Sequence, residues 1–410
     1  VGSEQFRQVL ESDVGGQPER RDLLLYVHIP FCSSKCSFCF WVAGISAREL
    51  RSGAGRRAEY VDALRRQIST HGPLLAEVGY QPRYVYWGGG TPSILEPAQI
   101  HDLGEHLRRT FDLSQVEEYS VESSPETLSE AKIRALIDVG MTRLSIGVQS
   151  FQEAELRLAA RSHSAEQATA AVACARDAGV GNLNLDLITG FPGQTPELLA
   201  ATLDTTAELS PEHVTAYSYL PFANTNMGRR VRDGSLKTRS RGEQVRAYRQ
   251  AREALTRAGY VEYMPEYFSR AGDFPFRCEQ YYFDLMGDFV GFGSGAHSRI
   301  AHHLVVSQRG ELDAFLASPT DFDSCEPITP DLTSAYHSTL LRAFRGKGRL
   351  DYERFREAYG FGLEALQDAP LVNRHRDELA RRGRRLVMDG RKMYVVADSR
   401  PDSPESNRVA

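Results

Sequence analysis

Tyr26-Val-His-Ile-Pro-Phe-Cys32-Ser-Ser-Lys-Cys36-Ser-Phe-Cys39 decides how the rest of this chain is read. The run into it, Leu23–Ile29, is short, apolar and β-branched, as a buried strand is. The loop after that strand places three cysteines within eight residues at the spacing C-x3-C-x2-C. Three thiolates on one loop can hold three irons of a cubane iron–sulfur cluster, which leaves the fourth iron open to a small molecule carrying an amine and a carboxylate. A structural zinc site wants four ligands, usually in paired short spacings. No second C-x2-C exists here, and strand geometry points His28 away from the loop centre. Cys174, Cys278 and Cys325 are scattered, so the tight cluster in an apparently cytosolic chain points to metal binding and not to disulfides.

Strand-like segments recur along the chain at Leu23–Ile29, Tyr84–Trp87, Glu118–Glu122, Arg143–Gln149, Asn182–Thr189 and His213–Leu220. Helical patterns lie between them at Arg57–Ser69, Ala98–Thr110, Ser129–Val139, Ala165–Ala178 and Pro196–Leu209. Six βα units in succession predict an α/β fold with a parallel sheet and right-handed crossovers. A full barrel needs eight, so the expectation is a partial (β/α)6 TIM-like barrel. Chemistry in such folds sits at the C-terminal strand ends. Cys32, Gly88–Thr91, Ser123–Pro125, Gln149–Ser150, Gly190–Gly193 and Pro221–Asn224 all fall there.

After about residue 225 the pattern changes. A charged helix, Arg241–Ala258, leads to Tyr260–Phe268, an aromatic run at 281–283 and a glycine turn at 291–295. From about 305 to 398 the chain reads as helices ending in a hairpin, Arg385–Met388 and Lys392–Val396, around Asp389-Gly390. The expected organisation is a flexible lead over 1–22, the barrel with its extension over 23–300, a small α+β, winged-helix-like C-terminal domain over 301–398, and a disordered tail over 399–410. The hydrophobic fraction of 41% and charged fraction of 25% are ordinary for globular chains. A net charge of −5 without a long basic block calls for neither nucleic acid nor a membrane surface. No apolar run approaches the ~20 residues of a membrane span, and residues 1–21 lack a signal-peptide core. A cytoplasmic monomer is expected.

The cysteine motif resembles that of the radical S-adenosylmethionine (SAM) superfamily. Further stretches narrow the resemblance to the HemN-like group, named for oxygen-independent coproporphyrinogen III dehydrogenase: YVHIPFC (26–32), WGGGTPS (87–93), RLSIGVQSF (143–151), NLDLITGFPGQT (184–195) and GFGSGAHS (291–298). The C-terminal region is similar to that group's extra domain. The resemblance implies a [4Fe–4S] cluster on Cys32, Cys36 and Cys39, SAM on its open iron, and reductive release of a 5′-deoxyadenosyl radical. It implies that Gly88, Gly89 and Gly90 bind the SAM amino group, with Gly90 and Thr91 also facing a second SAM. Glu122, Gln149, Arg161 and Asp186 would contact the cluster-bound SAM, Arg161 through its carboxylate and Asp186 through ribose hydroxyls. Tyr26 and Phe38 would lie near SAM, Phe38 against adenine, and Phe292 to Ala296 would help hold adenine or the second SAM.

Two departures steer the specific expectation. The group's dehydrogenases carry a further cysteine two residues after the third cluster ligand, where this chain has Trp41. Its heme chaperones carry His-Asn-x-x-Tyr-Trp, where this chain has Arg277-Cys278-Glu279-Gln280-Tyr281-Tyr282; Cys278 is the one heme ligand that the stretch offers. These departures look similar to the class C radical SAM methyltransferases. The expectation is therefore methyl transfer to an sp2 carbon of a natural-product intermediate, small-molecule or peptide-derived, using two SAM molecules. The alternative is coproporphyrinogen or heme chemistry, or heme carriage. An external electron donor of flavodoxin or ferredoxin type is implied. Tyr282 is the catalytic candidate beside the cysteines, with Tyr217, Glu266 and Glu279 as other proton acceptors placed by location.

Overall fold

Strand β1 (Arg21–Ile29) sets the layering of the molecule. Leu23, Leu25, Val27 and Ile29 are fully buried on one face, while Tyr26 alternates to the other and is half-buried. The apolar face takes a layer of helices and the other face lines the interior of a partial barrel. The computed structural model describes residues 3–12, 21–40, 53–283, 287–300, 304–308, 310–327, 384–389 and 392–397.

Strands β2 (Tyr80–Gly89), β3 (Glu118–Ser123), β4 (Arg143–Gln149), β5 (Leu183–Thr189) and β6 (His213–Ser218) follow β1 in order, each parallel to the last. Helices Ala54–Glu77, Pro97–Thr110, Glu130–Asp138, Ala165–Asp177 and Pro196–Leu209 make the crossovers. Local chemistry starts them: Ser129, Ser164 and Thr195 each accept a backbone N–H at the N-cap, and Pro97 and Pro196 open their helices. The (β/α)6 expectation therefore holds, with strand bounds within a few residues of those read from the sequence.

The sheet runs further than the six units. Hairpin β7 (Tyr260–Met264) and β8 (Tyr267–Arg270) covers the β6 edge antiparallel. On the other side β9 (Asp288–Phe292) joins β1 in parallel, and β10 (His297–Ile300), β11 (Leu304–Gln308) and β12 (Phe322–Pro327) continue antiparallel. The twelve-stranded order is β12-β11-β10-β9-β1-β2-β3-β4-β5-β6-β8-β7. These flanking strands cover the edges that an open six-stranded sheet would leave unpaired.

Two expectations are corrected here. The lead is not flexible throughout: Ser3–Ser12 is a helix whose Phe6 and Leu10 are buried, Phe6 against His71 and Phe322 at ring centroid distances of 5.1 and 5.3 Å. The stretch from about 305 is not all helical, since 304–308 and 322–327 are strands around the short helix Leu312–Ala317. The expected hairpin is present as β13 (Arg384–Asp389) and β14 (Lys392–Ala397), paired Asp389 to Lys392. The remaining helices of the expected C-terminal domain, its Gly390 turn and the 399–410 tail lie outside the described residues.

Candidate active site at the strand ends

The cysteine loop leaves β1 and is held from three sides. Ser37 donates from its backbone N–H to Ala159 O (2.9 Å) and from its hydroxyl to Leu158 O (2.7 Å), and its own carbonyl accepts from Met227 N (2.8 Å). Ser33 donates to the Glu126 carboxylate, which also accepts from Ser162 (2.8 Å) and Ser124 (2.5 Å). Burial opposes the charge of Glu126, but His163, Arg161 and the serine hydroxyls outweigh it and hold the carboxyl well below its usual range. Sequence reasoning misses Glu126; its one signal is its place in the Ser-Pro-Glu turn after β3.

Cys32, Cys36 and Cys39 are all free thiols. Thr91 donates to Cys32 Sγ (3.5 Å) and Arg161 Nη1 to Cys36 Sγ (3.1 Å). Burial pushes the Cys32 thiol up to about 12, partly offset by Thr91. Three thiols on one loop, two of them facing cationic or hydroxyl donors, fit a cubane cluster. Each cluster ligand takes its own iron, so the three need not converge. Among the described residues no three His, Cys, Asp or Glu side chains converge as ligands of a single ion would.

The β2 end is shaped by space. A Cβ on Gly90 would stand 2.5 Å from Phe31 O and 2.8 Å from Ile29 O, and Gly90 N donates to Ile29 O (2.8 Å). Gly89 has φ +105° and its missing Cβ would strike the His28 ring. Gly88 faces Glu122 and Tyr26. The Glu122 carboxylate accepts from Gly89 N (3.1 Å) and from the Tyr86 hydroxyl. At β4 a bulge between Gly147 and Gln149 puts Gln149 at φ 70° and frees Gly147 O, which accepts from Arg161 Nη2 (2.6 Å). Arg161 thereby joins the cysteine loop to β4. On β5, Asp186 accepts from Ser145 (2.8 Å) and Asn184 (2.8 Å), and Asn184 Oδ1 from Thr215 (3.1 Å).

Below this ring the barrel interior holds Tyr26, Tyr86, Tyr217, Tyr267, Glu122 and Glu279. Tyr26 and Tyr86 pack at 5.7 Å, and Tyr267 donates to Glu279 (2.8 Å). Tyr217 keeps 37% of its surface open, and its hydroxyl is pushed far up, first by burial and then by Asp186 and Glu279. Helix Arg277–Phe283 closes the floor, its first N–H groups held by Glu118 (3.1 and 2.9 Å). Cys278 is buried, 1% exposed, in a cluster with Leu24 and Phe289, its thiol turned to Val85 O (3.5 Å), so it is a packing residue in this structure. Tyr282 packs on Phe289 (5.1 Å) at this floor, close enough to Tyr26 to raise its hydroxyl pKa.

One side chain that the resemblance places at SAM does not reach the site. Phe292 pairs in register with Val27 on the helix side and packs toward Phe111 at 6.2 Å, 1% exposed, so its ring has no path to a ligand. Ala296 is buried with its methyl beside Gly291, the partner of Tyr26 on β1. The glycine turn instead braces β1: Ser294 N donates to Tyr60, which donates to His28 O. Phe38 packs on Phe191 (6.1 Å), in a cluster with Tyr219 and Met227.

Burial, then Asp186 and Glu279, push Glu122 up to about 7, partly offset by Tyr86 and Gly89. Its folded pKa exceeds the ~4.3 of an unfolded glutamate. Its stabilising contribution is thus complete below about pH 4 and is lost as pH rises through 7. For the metal-free protein, the melting temperature of Glu122→Gln minus that of the wild type should grow between about pH 5 and pH 8. A difference flat across that window would refute the enclosed carboxyl.

A loop of three cluster-fitting thiols at the mouth of a parallel partial barrel, ringed by Glu122, Gln149, Arg161 and Asp186, defines a radical SAM protein. The radical SAM superfamily matches residues 26–206. The oxygen-independent coproporphyrinogen III oxidase of Escherichia coli K12 is 34% identical over 273 residues, 66% of this chain and 58% of that enzyme's length. The heme chaperone HemW of Lactococcus lactis is 30% identical over 352 residues, 85% of this chain and 89% of the relative. The solved structure of coproporphyrinogen III oxidase (HemN) from E. coli superposes with a TM-score of 0.77 at 27% identity, covering 97% of this chain and 90% of that one. This chain belongs to the HemN-like family of coproporphyrinogen oxidases and HemW proteins, and a [4Fe–4S] cluster and SAM are the cofactors that membership implies. The expectation of class C methyl transfer is overturned, because the relatives aligned over most of the chain are coproporphyrinogen oxidases and heme chaperones. Among the described residues no helix is long and apolar enough to cross a membrane.

Proposed function

We propose that this chain is a radical SAM oxidase of the coproporphyrinogen-oxidase type, taking a hydrogen atom from a tetrapyrrole-class substrate seated in the tyrosine-lined interior. The observation that carries the enzyme reading is the floor. The segment that would offer a heme ligand in a carrier is here a helix with Cys278 buried and Glu279 accepting from Tyr267. Cys32, Cys36 and Cys39 would hold the cluster, and the chemistry it would supply when bound is one-electron reductive cleavage of SAM. The chain's own residues hold and orient. Glu122, at the Gly88–Gly90 turn, would take an ammonium, Asp186 hydroxyls, and Arg161 a carboxylate beside Cys36. The tyrosines and the closed floor keep water from a radical, and a fixed near-attack geometry does the rest. Trp41 in place of the dehydrogenases' cysteine leaves the three cluster ligands intact, so it bears on which tetrapyrrole is taken and not on SAM cleavage.

The test is anaerobic reaction of the reconstituted protein with SAM, dithionite and coproporphyrinogen III, followed by mass spectrometry. Substrate-dependent 5′-deoxyadenosine and methionine and no S-adenosylhomocysteine are expected, with an oxidised tetrapyrrole where an added one-electron acceptor takes the electron that the substrate radical sheds. One SAM consumed per hydrogen atom removed would fit this chemistry without a second SAM. SAM cleavage that no tetrapyrrole stimulates would sink the substrate assignment. Heme carriage is the second reading, favoured by the alignment to the L. lactis chaperone over 89% of its length. Tight stoichiometric heme binding with a Soret shift, and no tetrapyrrole turnover, would decide for it.

A further inference from the structure

The chain after β6 carries charge and apolar surface used by neither the core nor the strand-end ring. Between Asn226 and Arg241 it has six basic residues, Arg229, Arg230, Arg232, Lys237, Arg239 and Arg241, against one acid, Asp233, in a protein of net charge −5. Arg229, Arg232, Lys237 and Arg241 are exposed, and the other two are half-buried. Among the described residues none of the six forms a close ion pair. Asp233 turns to Ser235 N (2.9 Å) and feels Arg230 and Arg232 only as more distant charges.

Large exposed apolar side chains gather at the same place. Leu220, Phe222 and Val245 are 51%, 38% and 43% exposed. Gln244, beside Val245, donates to Tyr219 O (3.2 Å), beside Leu220, which brings the two stretches together. An apolar patch inside a charged rim is the anatomy of a protein-docking surface.

This surface is built onto the cysteine loop. Phe222 packs on Phe40, the residue after Cys39, with ring centroids 4.3 Å apart and planes tilted by 42°. Met227 donates its N–H to Ser37 O (2.8 Å) and packs beneath Phe38. A molecule seated here lies against the loop that carries the cluster ligands.

We propose that the 220–245 surface docks an acidic one-electron donor protein of the flavodoxin or ferredoxin kind. The donor gives up one electron and is oxidised, and the cluster on Cys32, Cys36 and Cys39 is reduced by that electron. The basic rim steers and orients the donor while the apolar patch supplies the desolvated contact. Electron-transfer encounters use small interfaces, below about 1,200 Å² in total. Charge steering of this kind raises association rates by about 10- to 1,000-fold and is screened within roughly 10 Å at 0.1 M salt. The inference rests on the radical SAM assignment and not on the identity of the tetrapyrrole.

The experiment uses the reconstituted holoenzyme with SAM and two reductants in parallel, a purified reduced flavodoxin and dithionite. Formation of 5′-deoxyadenosine and the rate of cluster reduction by stopped-flow absorbance are measured at about 20 mM and about 300 mM salt. For the combined Arg229→Glu, Arg232→Glu and Lys237→Glu variant, flavodoxin-driven rates should fall at least tenfold at low salt. The deficit should shrink at high salt, and dithionite-driven cleavage should be unchanged. An unchanged flavodoxin rate and salt dependence overturns the proposal. Equal loss with both reductants, repeated in the milder Arg229→Gln, Arg232→Gln, Lys237→Gln variant, overturns it as well, because the residues would then be structural. So does a higher KM for the tetrapyrrole at normal flavodoxin-driven reduction, which would make this a substrate surface.

Discussion

Cys36→Ala should leave a folded chain that carries no [4Fe–4S] cluster and makes no 5′-deoxyadenosine. The loop does not depend on Cys36 for its path. Ser37 is tied to Leu158 and Ala159, Met227 is tied back to Ser37, and Ser33 is tied to Glu126. Removing the thiol therefore deletes one of three ligands without unseating the other two, and two thiolates on a loop do not retain a cubane. The half-buried Sγ gives up one contact, with Arg161 Nη1 (3.1 Å), and that guanidinium keeps Ser124 and Gly147 O. The stability cost should be about 1 kcal/mol, a few degrees in melting temperature. Iron content, the cluster's visible absorbance and SAM cleavage should all fall to background. Cys278→Ala is the matched control: a buried thiol packed against Leu24 and Phe289 whose loss costs packing but leaves iron loading and SAM cleavage intact. Full iron in the Cys36 variant, or loss of iron in the Cys278 variant, would overturn the assignment of ligands.

The legibility of each feature in the sequence depends on the kind of interaction that makes it. The six βα units stand in the sequence because strand and helix periodicities are local, and the strand-end rule then places Cys32, Gly88–Thr91, Glu122 and Gln149 at one rim; Asp186, inside β5, is reached only through the resemblance. Glu126 is invisible to such reasoning because what makes it matter is non-local: Ser33 lies 93 residues away and Ser162 another 36. Phe292 misleads because 288–292 reads as the approach to a glycine turn and not as a strand. Once β9 pairs with β1, the two-residue period puts Gly291 toward the interior and Phe292 toward the helices. The N-terminal helix is hidden when its Phe6 and Leu10 are averaged with the Gly-rich residues after it. The inference of methyl transfer rests on what positions 41 and 277–278 lack. The structure gives 277–283 a positive role, a helix fixed by Glu118 that floors the cavity, so its departure from a heme motif needs no change of reaction to explain it.

Gly90→Ala should disable the site almost as thoroughly as losing a ligand, by a different route. Gly90 passes directly under the start of the cysteine loop. It donates to Ile29 O (2.8 Å), and the next residue, Thr91, donates to Phe31 O (2.8 Å). An added methyl would stand 2.5 Å from Phe31 O and 2.8 Å from Ile29 O. Both obstacles are backbone, so no rotamer relieves them, and either β2 or the segment bearing Cys32 has to move. Overpacking of this sort costs about 1–3 kcal/mol, a tolerable loss for the fold as a whole. The displacement, however, falls on the residue next to a ligand and on Thr91, whose hydroxyl points at Cys32 Sγ (3.5 Å). The expected result is a protein that melts cooperatively a few degrees lower, binds less than about half the wild-type iron, and cleaves SAM at least tenfold more slowly, since a site displaced by about 1 Å loses about 100-fold in rate. Gly193→Ala separates the two effects. Gly193 has φ +80° with nothing within 4 Å of the added methyl, so it carries the conformational cost alone, about 1–2 kcal/mol. Iron loading should survive Gly193→Ala and fail in Gly90→Ala at similar stability. If the two variants load iron equally, the close approach at Gly90 does not hold the cysteine loop in place.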